Sequence, residues 1–178
     1  VQVPSGEIYQ EIVERHFISA PSMMIRRSVL EKLGGYDESL AYEDFDFWVR
    51  SSRTFKYFFT DRVLVSKRVL KKSLSASRYR RKNQHVASTA LVCEKALHLN
   101  ETKAENAALY RRCMYELRWS LATENWEASE RLLSIIKSLG PHNARDKALH
   151  FVCAIKPPVY WLTYLYLTLR KHLVPDLR

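Results

Sequence analysis

Two adjacent carboxylates, Glu43 and Asp44, follow the glycine pair Gly34-Gly35 and the segment Tyr36-Asp37-Glu38, and an aromatic and a cation, Trp48 and Arg50, come about a helical turn later. Paired glycines allow the backbone to turn tightly with φ > 0. Acids placed just after such a turn sit where a helix begins. A carboxylate there, beside a flat aromatic surface, is suited to take a proton from a hydroxyl held against that surface. Such an arrangement suits a general base beside a sugar platform.

The literal Asp44-Phe45-Asp46 also has the spacing of an Asp-x-Asp metal motif. It follows a turn and opens a helix instead of ending a buried strand, and Asp46 has a local i,i+4 partner in Arg50. We read Asp46 and Arg50 as a structural ion pair and assign no metal ligand in the chain. The histidines are scattered without metal-site spacing, and Cys93, Cys113 and Cys153 form no Cys-x-x-Cys pair. Neither a thiolate metal site nor a disulfide framework is indicated, which suits a reducing compartment.

A second constellation is basic. Nine lysines and arginines and no acid lie between Arg62 and Lys82, within a net charge of +10, which leaves the rest of the chain near neutral. Such a cluster attracts a diphosphate, an anionic lipid surface or nucleic acid, and composition does not rank them.

The elements that must position these groups divide the 178 residues in two. Before residue 75 the pattern predicts a short helix from Ile8 toward His16, strands over Phe17–Arg26, Phe55–Phe59 and Val63–Val69, a brief helix from Ser28 to Leu33 stopped by Gly34, and a helix opened by Glu43-Asp44. After residue 75, helical spacing runs through 76–99, 102–123, 126–139 and 143–155, broken at Gly140-Pro141 and Pro157-Pro158. The expectation is an α/β part over 1–75 followed by an all-α hairpin or bundle over 76–178, with helix dominant.

The run Gly34-Gly35-Tyr36-Asp37-Glu38 with Glu43-Asp44, Trp48 and Arg50, extended back through Ser19–Arg27 and forward to Ser73-Leu74-Ser75, resembles the acceptor-side signature of the family 2 glycosyltransferases. That resemblance implies an inverting transfer from a nucleotide-sugar donor to a saccharide or lipid-linked acceptor, as in bacterial-type polysaccharide or glycolipid assembly. It implies the C-terminal half of a GT-A, Rossmann-like domain, with the donor- and metal-binding half outside this chain. On this reading the chain is the back part of a larger enzyme and inactive alone.

By the same resemblance Asp44 is the general base, Glu43 orients or binds the acceptor, and Gly34, Gly35, Tyr36 and Trp48 shape the acceptor pocket. The family's Tyr-Arg-x-His segment corresponds to the stretch ending at Arg68 and Leu70, where leucine replaces the histidine. Arg68, Lys71 and Lys72 are then the candidates for neutralising the diphosphate. A divalent ion, Mg or Mn, is expected in the intact enzyme, with ligands outside this chain.

The segment 159–174 is too short to span a bilayer, and its tyrosines, Trp161 and leucines followed by Arg170 and Lys171 fit either a helix in the membrane interface or a face packed on the bundle. The expected location is the cytoplasm, with peripheral contact at the inner membrane face. An alternative of another class is a non-catalytic helical module that binds a partner or a membrane. Nucleic-acid binding through 62–82, with Tyr79 stacking on a base, is a third and weaker reading, since the run carries no binding motif.

Overall fold

Leu, Ala, Glu, Lys and Arg dominate the chain beyond residue 83, and such a composition favours helix. The computed structural model describes residues 3–15, 17–66, 68, 80–140 and 144–173. Among them the chain forms α1 (Tyr9–Glu14), α2 (Arg27–Leu33), α3 (Glu43–Thr54), α4 (Gln84–Leu99), α5 (Lys103–Ala122), α6 (Trp126–Leu139), α7 (Ala144–Ile155) and α8 (Tyr160–Leu173), with a 3-10 turn at Ala20–Ser22.

The α/β expectation is overturned. Among the described residues no strand ladder forms, and the β pairing consists of one isolated antiparallel bridge between Gly6 and Tyr57. Each expected strand fails for a local reason. Within 17–26, Pro21 lacks the N–H a ladder needs and the chain coils into the 3-10 turn. Over 55–59 the backbone finds a partner at Tyr57, whose N–H donates to the Gly6 carbonyl at 2.8 Å and whose carbonyl accepts from the Gly6 N–H at 2.6 Å. In 63–69, residues 63–66 and 68 are irregular, and the others lie outside the described residues. β-Branched and aromatic composition fits a strand to a sheet but cannot supply the neighbouring strand. The Rossmann-like half is therefore absent from the described fold.

α5 packs against α1, α4 and α6, and α6 also meets α7. A capping box starts α5: the Thr102 hydroxyl accepts from the Glu105 N–H at 3.1 Å while the Glu105 carboxylate accepts from the Thr102 N–H at 3.0 Å. Arg53 of α3 donates to Glu105 at 2.7 Å, which ties α3 to that same helix start. α1 reaches α4 and α5 through contacts distant in sequence. The Tyr9 hydroxyl donates to Asn100 at 2.9 Å, and Arg111 grips Glu14 with two bonds of 2.6 and 2.7 Å.

One core holds α3 and the helical bundle together, with Phe45, Phe47 and Val49 in the same cluster as Val86, Val92, Leu109 and Leu132. The expected division near residue 75 falls in 69–79, outside the described residues. Cys93, Cys113 and Cys153 are buried free thiols. Among the described residues no helix is long and apolar enough to cross a membrane.

Candidate active site

The glycine pair does what its chemistry allows. Gly34 (φ 71°) and Gly35 (φ 75°) both take the left-handed conformation, and the Gly35 N–H closes α2 on the Leu30 carbonyl at 2.9 Å. Ser28 lies inside α2, and the helix starts from Arg26 without a side-chain cap. The chain then runs through Tyr36–Tyr42 into α3, whose first turn carries Glu43, Asp44 and Asp46. Acids at that end are favoured by the helix dipole by roughly 0.3–1 kcal/mol each when exposed.

The acids of this corner have different environments. Asp46 is fully buried, and its two oxygens are both taken: Oδ2 accepts from Arg50 Nε at 2.7 Å and Oδ1 from Lys95 Nζ at 2.7 Å. Arg50 also donates to the carbonyls of Leu33 and Gly35, each at 2.8 Å, so the ion pair clamps the glycine turn to α3. Asp37 accepts from Lys95 at 2.8 Å and from the Ser39 hydroxyl, and these bonds hold its carboxyl down to about 2.

Asp44 is half-buried and, among the described residues, neither it nor Glu43 makes an ion pair or side-chain hydrogen bond. Burial, and then the neighbouring Glu43 charge, push the Asp44 carboxyl above its ordinary range. Tyr36 stands beside both acids: burial and the charges of Asp44 and Glu43 raise its phenol. Its ring packs on Phe47 with centroids 4.7 Å apart and remains 38% exposed.

Gly34, Gly35 and Tyr36, with Leu33, Asp37, Asp46, Arg50 and Lys95, line a polar pocket of about 260 Å³. Trp48 is not in it. Its side chain is 2% exposed, its indole N–H meets the Met23 sulfur at 2.7 Å, and the Tyr42 ring packs edge-on against it. Trp48 is a core residue with no face open for stacking. Arg68 is exposed in irregular backbone, and Lys71 and Lys72 lie outside the described residues.

The corner depends on α4 in a way the sequence did not reveal. Lys95 is 49 residues from Asp46, and Ser88, whose hydroxyl accepts the Ala41 N–H at 2.8 Å, is 47 residues from its partner. No local periodicity links positions so far apart. The available hint was Lys95 itself, a cation on a helix whose neighbours Val92, Cys93 and Ala96 are all buried.

The sequence model of the family described as glycosyltransferase like family 2 matches residues 7–115. The chain belongs to this family. The matched stretch runs from α1 into α5, so this glycosyltransferase segment includes the acidic corner and also the α4 residues that support it. No curated protein and no solved structure matches the chain.

Glycosyltransferases of this family are commonly metal-dependent, so the fit of the described residues to a divalent ion matters. They do not fit. Both oxygens of Asp46 are occupied by cations, and among the described residues no group of three or more His, Cys, Asp or Glu is arranged to hold a metal.

Proposed function

We propose that the chain is the acceptor-side part of an inverting glycosyltransferase that uses a nucleoside-diphosphate sugar, with Asp44 as the general base. The observation that carries this reading is the contrast inside one turn of helix. Asp46 is saturated by two cations, whereas Asp44 is half-buried, without an ion-pair partner, and raised in pKa by burial and by Glu43. A base is most effective when its pKa lies near the working pH.

In the reaction an acceptor hydroxyl sits by Tyr36 and the Gly34-Gly35 turn, with Glu43 orienting it. Asp44 takes the hydroxyl proton as the oxygen attacks the anomeric carbon. The carbon–oxygen bond to the nucleoside diphosphate breaks on the opposite face, and configuration inverts. Arg68, Lys71 and Lys72 neutralise charge on the departing diphosphate. Trp48 supports the site from the core, and Tyr36 takes over the role of the sugar-facing aromatic. Beyond these three cations, no donor-binding group and no ligand of a divalent ion is assigned among the described residues.

The acceptor class is a saccharide or lipid-linked saccharide. Lipid linkage is favoured by α8, where Trp161, Tyr164 and Tyr166 are each more than half exposed. Trp and Tyr on an exposed helix suit the headgroup region of a bilayer. The same observation favours the second reading, a non-catalytic module that docks on a membrane.

The deciding experiment is release of nucleoside diphosphate from a panel of nucleotide sugars by the intact enzyme and by Asp44→Asn. The variant is expected to lose roughly 10²- to 10⁴-fold in kcat, the usual contribution of a general base. Wild-type turnover by a folded Asp44→Asn removes Asp44 as base. Binding to phosphatidylglycerol vesicles by a chain without turnover supports the module reading.

A further inference from the structure

We propose that Lys95 of α4 is a positioning residue for Asp44, locking the Tyr36 turn and the start of α3 into one rigid unit. This inference rests on the reading of Asp44 as the base. It adds that the helical part of the chain supplies the frame on which the site is held.

The geometry is a two-armed bridge. One arm is the 2.7 Å bond from Lys95 Nζ to Asp46 Oδ1, in the same helical turn as Asp44, and the other is the 2.8 Å bond to Asp37 Oδ2, adjacent to Tyr36. Arg50 closes the ring from below, holding the other Asp46 oxygen and the carbonyls of Leu33 and Gly35. The loop between the arms has little freedom left.

α4 reinforces the lock along one face. His85, Ser88 and Lys95 follow at intervals of three and seven residues, which places them on one side of a helix. The His85 ring meets the Tyr42 ring edge-on at 5.6 Å, and Ser88 accepts the Ala41 N–H. His85 and Ser88 meet the loop at its end, on Tyr42 and Ala41, and Lys95 meets it at its beginning, on Asp37.

Position matters here because Asp44 has no partner of its own to fix it. The ionisable groups that bear on it are Glu43 in its own helix and Tyr36 from the turn. Lys95 and Arg50 pair with the nearby Asp46, Asp37 shares Lys95 with it, and from α5 the Arg112 guanidinium covers Phe45 and pairs with Glu116 at 3.1 Å. Without Lys95, Asp37 loses its cation and the segment after Tyr36 loses its tie to α4, leaving the turn held to α3 by Arg50 at Gly35 and by Tyr36 on Phe47 alone. Tyr36 is then less firmly placed, water reaches Asp44, and the carboxylate is both better solvated and less well aimed.

The test uses the full chain for spectroscopy and the intact enzyme for turnover. The Asp44 carboxyl carbon, assigned by comparison with Asp44→Asn, is titrated by NMR in wild type, Lys95→Met and Lys95→Arg. Lys95→Met is expected to move the Asp44 titration down toward the ordinary aspartate value, and to lower kcat by about 10²-fold with KM little changed, the size of effect that a small misplacement produces. Lys95→Arg, which still reaches two carboxylates, is expected to restore both. If Lys95→Met lowers thermal stability but leaves the Asp44 titration and kcat at wild-type values, Lys95 is only structural and the proposal fails.

Should Lys95→Met not fold, Asp37→Asn removes the partly exposed arm alone and is expected to shift Asp44 in the same direction by less; an unmoved Asp44 overturns the lock. The two readings fail separately. Normal turnover by Asp44→Asn defeats the base, whereas an Asp44 titration indifferent to Lys95 defeats the positioning.

Discussion

The acidic corner and the C-terminal helix invert the usual partition of side chains in opposite ways. In the corner, Asp46 is fully buried, and it is stable there because Arg50 and Lys95 complete its hydrogen bonding. On α8, Trp161 is 63% and Tyr164 64% exposed. Buried charge requires partners within the fold, and the chain supplies them from α3 itself and from α4. Exposed aromatics leave apolar surface available to an interface. One region therefore specifies a geometry, and the other offers a surface.

The sharpest way to break this comparison is within the corner. Asp44→Asn is expected to reduce turnover by roughly 10²- to 10⁴-fold while leaving the protein at least as stable at neutral pH. Its carboxyl is raised in the fold, so Asp44 contributes stability that is present at low pH and lost as pH rises through its folded pKa. Thermal denaturation at pH 7 should place the variant at or above wild type. A clear drop in melting temperature would group Asp44 with the structural acids.

Trp48→Ala tests the core assignment and is expected to cost about 3–5 kcal/mol in denaturant unfolding, as large aromatic truncations do. Loss of sugar affinity without that cost would return Trp48 to the pocket. Next in size, Asp46→Asn should cost about 2–3 kcal/mol, less than removal of a partner from a fully buried pair because Lys95 remains partly solvated. Two residues apart in one helix, Asp44 and Asp46 should thus separate cleanly into activity and stability.

Acid should act on the corner and the bundle together. Hydrogen bonds from Arg111 lower Glu14, the Tyr160 N–H with Arg81 lowers Glu124, and Glu105 is lowered despite the upward pull of its burial, by the N–H groups of Glu101 and Thr102 and by Arg53. Asp37 is lowered to about 2. Stability from these groups is present above their ordinary values and lost as pH falls through the lowered ones. Melting temperature is expected to decline from about pH 4.5 toward 2, the interval that brackets reference and lowered carboxylate values.

The smallest folding effect belongs to α8. Trp161→Ser with Tyr166→Ser is expected to change unfolding by less than about 0.5 kcal/mol, as exposed substitutions generally do. The same pair should abolish sedimentation with phosphatidylglycerol vesicles at low salt. A large stability loss would mean that α8 is packed against the protein.

The sequence carried the local chemistry of the corner well and its long-range support poorly. The glycine turn, the helix start at Glu43 and the Asp46–Arg50 pair are all readable because their partners are near in the chain. Lys95 and Ser88 were invisible, since tertiary packing alone brings them to the loop. Trp48 was read as a platform from its residue type beside a carboxylate, but a flat aromatic serves a core face equally well, and burial decides between them. The strands misled for a related reason: Phe55–Phe59 has strand composition, but a strand is completed by its neighbour, and among the described residues the β pairing of Tyr57 is a single bridge to Gly6.

The contacts of α1 carry a consequence for how the chain is made. Tyr9 bonds to Asn100, 91 residues on, and Glu14 to Arg111, 97 residues on. At typical synthesis rates of 5–20 residues per second, α1 emerges roughly 5–20 s before its partners exist. Throughout that interval Ile8, Ile12 and Val13, which end almost wholly buried, have no bundle to pack against. Until α5 appears, the nascent chain thus presents a short apolar segment from Ile8 to Val13, for which ribosome-associated holdases are the natural custodians.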